Sequence, residues 1–113
     1  MAKKPRLTLT KSRFLSGLQC LKYLWILVHE PERIPEPDAA ARHRFTEGYL
    51  IDALAKNQYP DGIDIPSADF LANLAETKAR LAERRPLFEA GFAADELSAR
   101  ADILIPAAKG SWD

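Results

Sequence analysis

Leu97-Ser98-Ala99-Arg100-Ala101-Asp102-Ile103-Leu104-Ile105 is the stretch that decides the fold class. It reads as a strand with one carboxylate set among apolar neighbours. Leu87 to Phe92 is a second strand-like run, and Ala93-Ala94-Asp95-Glu96 between the two is the loop of a β-hairpin. Everything upstream has mostly helical spacing. Helices followed by an antiparallel hairpin give an α+β class. The expected architecture is about three helices packed on a small, incomplete antiparallel sheet, within a single domain over residues 1–113. Ser111-Trp112-Asp113 starts a further strand.

Moving outward, Phe14, Leu18, Leu21, Trp25 and Val28 recur at alternating steps of four and three, which predicts one buried helical stripe. Thr10 or Ser12 caps it, and Gly17 is the position where it breaks into two. Pro31, Pro35 and Pro37 end it. Asp38 caps a second helix running to about Tyr59, with Phe45, Ile51, Leu54 and Ala55 as its apolar positions. Gly48 inside that helix costs about 1 kcal/mol relative to Ala, which predicts close approach of another backbone or side chain. Pro60-Asp61-Gly62 is a turn, and Ile63-Asp64-Ile65 a short strand. Ser67 or Asp69 caps a third helix, whose Phe70, Leu74, Thr77 and Leu81 share one face. Glu76 and Arg80 pair on its solvent side.

The net charge is zero, and no apolar run approaches the ~20 residues of a membrane span. The charge is unevenly spread. Residues 1–29 hold Lys3, Lys4, Arg6, Lys11, Arg13 and Lys22 and no acid, so this segment carries +6 and the rest −6. Residues 1–9 read as a basic extended arm. It contacts phosphates, or is a solvated terminus, or is an organelle presequence. The single Cys20 excludes an internal disulfide and fits a reducing cytoplasm.

The hairpin permits a geometric argument. With the loop at 93–96, Phe92 faces Leu97, Glu89 faces Arg100 and Leu87 faces Asp102. Glu89, Arg100 and Asp102 then share one side of the sheet, with diagonal neighbours roughly 7–8 Å apart. Phe88, Ala90 and Phe92 take the core side with Ala99, Ala101 and Ile103. Two readings of the polar side follow. Glu89 and Asp102 offer oxygen ligands to a hard cation such as Mg²⁺ or Mn²⁺, or Arg100 simply bridges two acids on a solvated face.

Thr10-Lys11-Ser12-Arg13-Phe14, Gly17-Leu18-Gln19-Cys20 and Leu24-Trp25 open the chain. Arg44-Phe45, Gly48, Phe88-Glu89-Ala90 and Arg100-Ala101-Asp102-Ile103-Leu104 follow. In this order they resemble the N-terminal portion of RecB-like members of the PD-(D/E)XK nuclease superfamily, over nearly the whole chain from Leu9 onward. The resemblance implies a metal-dependent DNA nuclease with a restriction-endonuclease-like core. It implies that Asp102 is the first metal-binding Asp and Glu89 an upstream acid of the same Mg²⁺ or Mn²⁺ site. The Glu-x-Lys half of the signature belongs on a following strand and is not among these 113 residues. This chain alone is therefore expected to be inactive. Tyr49 stands where some members carry a His; His29 and His43 read as surface residues. Cys20 resembles the early ligand of the superfamily's iron–sulfur branches, whose three later cysteines are not in this sequence. For Cys20 the alternative is a small buried apolar side chain.

A second class of function stays open: a non-catalytic module on the same scaffold that binds a protein, or binds nucleic acid through the arm. An incomplete sheet leaves an edge, which predicts self-association. The expected location is cytoplasmic, with no membrane contact.

Overall fold

Thr10 Oγ1 accepts the Arg13 amide at 3.2 Å, Asp38 Oδ1 accepts that of Ala41 at 2.7 Å, and Asp69 Oδ1 accepts those of Leu71 and Ala72. Each cap satisfies amides that a first helical turn leaves without a partner. The helices they begin belong to a computed structural model that describes residues 8–113. Helix α1 spans Lys11–Gln19, α2 Leu21–His29, α3 Ala39–Lys56 and α4 Phe70–Arg80. Strand β1 is Leu9–Thr10, β2 Ile63–Asp64, β3 Leu87–Ala94 and β4 Leu97–Leu104. Among the described residues no helix is long and apolar enough to cross a membrane.

The class is α+β, as the hairpin implied. The sheet is mixed, however, where an antiparallel one was expected. Its order is β1-β4-β3-β2. Strand β1 runs parallel to β4, with Leu9 beside Leu97, and β2 runs parallel to β3, with Ile63 beside Leu87. Connectivity gives the reason for the second pair. The chain passes from β2 to β3 through α4, and a helical crossover joins parallel strands.

The described residues gather into two compact units, one of residues up to 37 with 93–99, the other of residues 38–92 with 100–113. In the first, the break between α1 and α2 falls at Cys20, whose backbone is extended (φ −160°, ψ 114°), and not at Gly17. Gly17 serves close packing instead: a Cβ there would stand 2.8 Å from Leu24 Cδ2. The expected stripe is not buried. Phe14 and Trp25 are each 50% exposed, Leu18 and Leu21 more so, and neither helix has a buried residue. Residues 1–7 of the expected arm lie outside the described residues, and Leu9 at its end is paired in β1.

In the second unit, Ile65, Leu87 and Ala90 form a small core, with Ile63, Leu81, Leu104 and Trp112 packed against it. Full burial of a side chain the size of Leu87 contributes about 1.5–3 kcal/mol. Helix α3 stops at Lys56, short of Tyr59, and its Phe45, Ile51 and Leu54 stay exposed. The close neighbour expected at Gly48 is absent, since an added Cβ would meet nothing within 4 Å. Ser111-Trp112-Asp113 turns back on the preceding segment: Ile105 and Asp113 exchange backbone hydrogen bonds of 2.8 and 2.9 Å. Arg84, itself left-handed at φ 52°, fastens this return. Its guanidinium donates to the carbonyls of Ala107, Gly110 and Ser111 and lies 4.6 Å from the Trp112 ring centroid.

Candidate metal and phosphate cleft

Arg44, Gly48, Asp52 and Lys56 follow one another at four-residue steps along α3, so they line up on one helical face. Arg44, Phe45, Gly48, Tyr49 and Asp52 line a cleft of about 400 Å³ in the second unit. The base of the hairpin supplies the remaining lining, Glu89 from β3 and Asp102 from β4. The two acids singled out in the sequence are therefore brought to one cleft. Cys20 belongs to the other unit and is an exposed thiol at the break between helices, not a buried apolar side chain.

Glu89 reaches the cleft by a route that simple alternation does not give. Its φ is +61°, in the left-handed region that costs a non-glycine residue roughly 1–2 kcal/mol. A left-handed residue inside a strand kinks it and re-aims the side chains on either side, as at a β-bulge. The burial pattern follows. Leu87 and Phe88 are consecutive buried residues, and so are Ala90 and Gly91, with Glu89 between the pairs only partly exposed. Leu87, expected on the polar side with Asp102, is instead fully buried. Phe92, expected in the core, is 41% exposed.

Helix α4 holds the kink. Asn73 Nδ2 donates to the Glu89 carbonyl at 2.8 Å and to the Pro66 carbonyl at 3.0 Å. Thr77 Oγ1 accepts the Gly91 amide at 3.0 Å. Both side chains are essentially fully buried. Gly91 has to be glycine here, because a Cβ would overlap Asn73 Oδ1. That oxygen has no hydrogen-bond partner among the described residues.

Arg100 does not bridge the acids. Its guanidinium points to the Ser67 carbonyl at 3.4 Å. The cation at Glu89 is Lys56, whose Nζ lies 3.6 Å from Glu89 Oε1, 3.0 Å from Asp52 Oδ2 and 3.8 Å from Asp64 Oδ1. It also lies 5.5 Å from the Phe88 ring centroid. Burial disfavours the charge on Lys56. The Asp52 carboxylate, through a hydrogen bond and its charge, outweighs this together with Glu89 and Asp64, and the ammonium titrates above its ordinary 10.5. Asp52 and Lys56 went unread in the sequence, although their i,i+4 spacing on a helix is a pairing signal. His43 is a surface residue 3.3 Å from Glu47, and exposed His29 stacks beside Trp25.

The cleft thus combines three carboxylates, one guanidinium and two exposed aromatic rings. All-oxygen donors suit Mg²⁺ or Mn²⁺ in kind. The described residues contain no group of three His, Cys, Asp or Glu side chains already converged on one point. A single thiol at Cys20 does not meet the four-ligand need of an iron–sulfur cluster. Comparison with protein-family models, with curated proteins and with solved structures gave no match.

Proposed function

We propose that this chain corresponds to the N-terminal portion of a RecB-like PD-(D/E)XK nuclease and carries the first half of its divalent-metal site. What supports the reading is one observation: Glu89 and Asp102, from different strands, line the same cleft. A bound Mg²⁺ or Mn²⁺ would supply an activated water and offset developing charge on a phosphodiester. This chain's own contribution is to hold the cation through Glu89 and Asp102. Arg44 offers a forked guanidinium to a DNA phosphate, and Phe45 and Tyr49 offer faces for bases. The Glu-x-Lys half, with its second ligand and positive charge, has no counterpart after Asp102 in these residues. Glu89 and Asp102 by themselves would hold a cation weakly and would not supply the positioned positive charge on which cleavage depends. Cys20 would be one ligand of a cluster completed by cysteines from elsewhere. A cytoplasmic setting suits that thiol.

The test uses the purified chain. Electron paramagnetic resonance of free Mn²⁺ is expected to report weak binding, lost in Glu89→Gln and in Asp102→Asn. Single- and double-stranded DNA are expected to stay intact with Mg²⁺ or Mn²⁺. Mn²⁺ binding indifferent to both substitutions would remove the metal reading. Cleavage that survives repurification and disappears in Asp102→Asn would overturn the claim of a half-site.

A second reading is a non-catalytic interaction module. It is favoured by the exposed apolar side chains of α1 and α2, Leu18 and Leu21 above all. Partner binding that persists in Glu89→Gln and Asp102→Asn would select it. DNA binding through the basic arm would instead fall steeply with salt and weaken when residues 1–13 are deleted.

A further inference from the structure

We infer that α3 is the movable wall of the cleft, latched to the sheet at its last turn by Lys56, so that the grip of one ammonium sets how wide the cleft stands. This applies whatever occupies the cleft.

Burial shows where the helix is gripped. Every residue from Arg42 to Ile51, about three turns, is exposed. Half-buried residues recur only toward the end, at Asp52, Ala55 and Lys56, whose spacing of three and four residues marks one contacting face. The middle of the helix agrees, since a Cβ on Gly48 would meet nothing within 4 Å. Apolar side chains hold a helix in place only to the extent that their surface is removed from water, and Phe45, Tyr49, Ile51 and Leu54 all stay exposed.

At the last turn the contacts cross to other elements. Lys56 Nζ lies 3.6 Å from Glu89 Oε1 on β3, 3.8 Å from Asp64 Oδ1 on β2 and 5.5 Å from the Phe88 ring centroid. Its nearest partner, Asp52 at 3.0 Å, belongs to α3 itself and orients the ammonium without fastening the helix. The Phe88 ring also fixes the turn that follows, because a Cβ at Gly62 would overlap it. The Gly62 amide donates to the Tyr59 carbonyl at 2.9 Å and closes that turn. A few residues at the end of an element are enough for a hinge, and here they are residues 56–62.

The cleft then has one fixed wall and one free one. Glu89 and Asp102 stand on the hairpin, whose β3 is clamped to α4 through Asn73 and Thr77. Arg44, Phe45, Gly48 and Tyr49 stand on the exposed stretch of α3. A pivot about the hinge carries these four away from Glu89 and Asp102 together and leaves Asp52 near the latch. Two ion pairs and one cation–π contact make a weak latch, which a change of ionic strength can open.

The experiment measures the distance between two spin labels in the full chain carrying Cys20→Ser. One label is placed by Glu47→Cys on the free stretch of α3, the other by Ala75→Cys on an exposed position of the clamped α4. At low salt the chain with Lys56 is expected to give one narrow distribution. Lys56→Met is expected to raise a longer-distance population about fivefold. Lys56→Arg, which keeps the charge, is expected to stay narrow. Salt at about 1 M should broaden the distribution without any change at Lys56. A broad distribution already present at low salt, or one that Lys56→Met leaves unmoved, would overturn the latch. So would Lys56→Arg as broad as Lys56→Met, since charge would then not be what holds the helix. If Lys56→Met loses its helical circular dichroism, the salt series alone decides: broadening supports the latch and a fixed narrow distance overturns it.

Discussion

At Glu89 a strand pays for its kink in backbone energy, and two buried side chains on α4 stabilise the result. Asn73→Ala would leave the Glu89 and Pro66 carbonyls without their donor inside the unit. The expected loss is about 2–3 kcal/mol, measurable by urea unfolding. Gly91→Ala should cost at least as much, because its Cβ would occupy the place of Asn73 Oδ1. Lys56 gives a pH-dependent contribution. Its folded pKa is raised, so its stabilisation is complete below the unfolded value near 10.5 and is lost as pH rises through the folded value. Unfolding midpoints should therefore fall more steeply above pH 10.5 in the parent than in Lys56→Met. At this scale the sequence was half legible. Period-two alternation put Glu89 and Asp102 on one side, and both do line one cleft. It could not disclose the left-handed residue, because nothing in Phe88-Glu89-Ala90-Gly91 marks Glu89 rather than Gly91 as the one with positive φ. Asn73 was invisible as a clamp, since a helical Asn reads as a solvent-facing residue until its partners are known.

Among the elements, α3 diverges most from its pattern. Its glycine was read as a contact point, yet the Gly48 position opens onto the cleft. Gly48→Ala should then gain helix propensity without a clash and stabilise the protein by about 1 kcal/mol in chemical denaturation. Loss of stability on that change would mean a neighbour does approach there. Caps and breakers were the most legible features: Thr10, Asp38 and Asp69 start helices where their side chains can reach free amides. Helix–helix breaks were less so. Gly17 looked like the weak point of the first stripe, but its missing side chain admits Leu24, and the bend moves to Cys20. The parallel pairing of β2 with β3 was hidden for another reason. A strand of two residues has no period to read, and only the crossover through α4 sets its direction.

For the molecule as a whole, apolar spacing identified helices correctly but not what covers them. Phe14, Leu18, Leu21 and Trp25 on α1 and α2, and Tyr49, Ile51 and Leu54 on α3, are all at least half exposed. Periodicity tells which face is apolar; burial depends on whether a partner surface exists. An exposed apolar surface of this kind predicts association, and so do the outer edges of β3 and β4, which the two-residue strands β1 and β2 cover only at Leu87–Phe88 and Leu97–Ser98. Light scattering should show a mean mass that falls on dilution. A single monomeric species at all concentrations would contradict this.

The clasp of Arg84 over Trp112 has a practical consequence. The chain has two tryptophans, and Trp25 sits half in solvent while Trp112 is sheltered against the core under a guanidinium. Their emission should differ in colour and in access to a dissolved quencher such as iodide. Replacing Trp25 by Phe would leave one native fluorophore, and the second unit would then carry its own optical gauge of whether its carboxyl-terminal return is latched or loose.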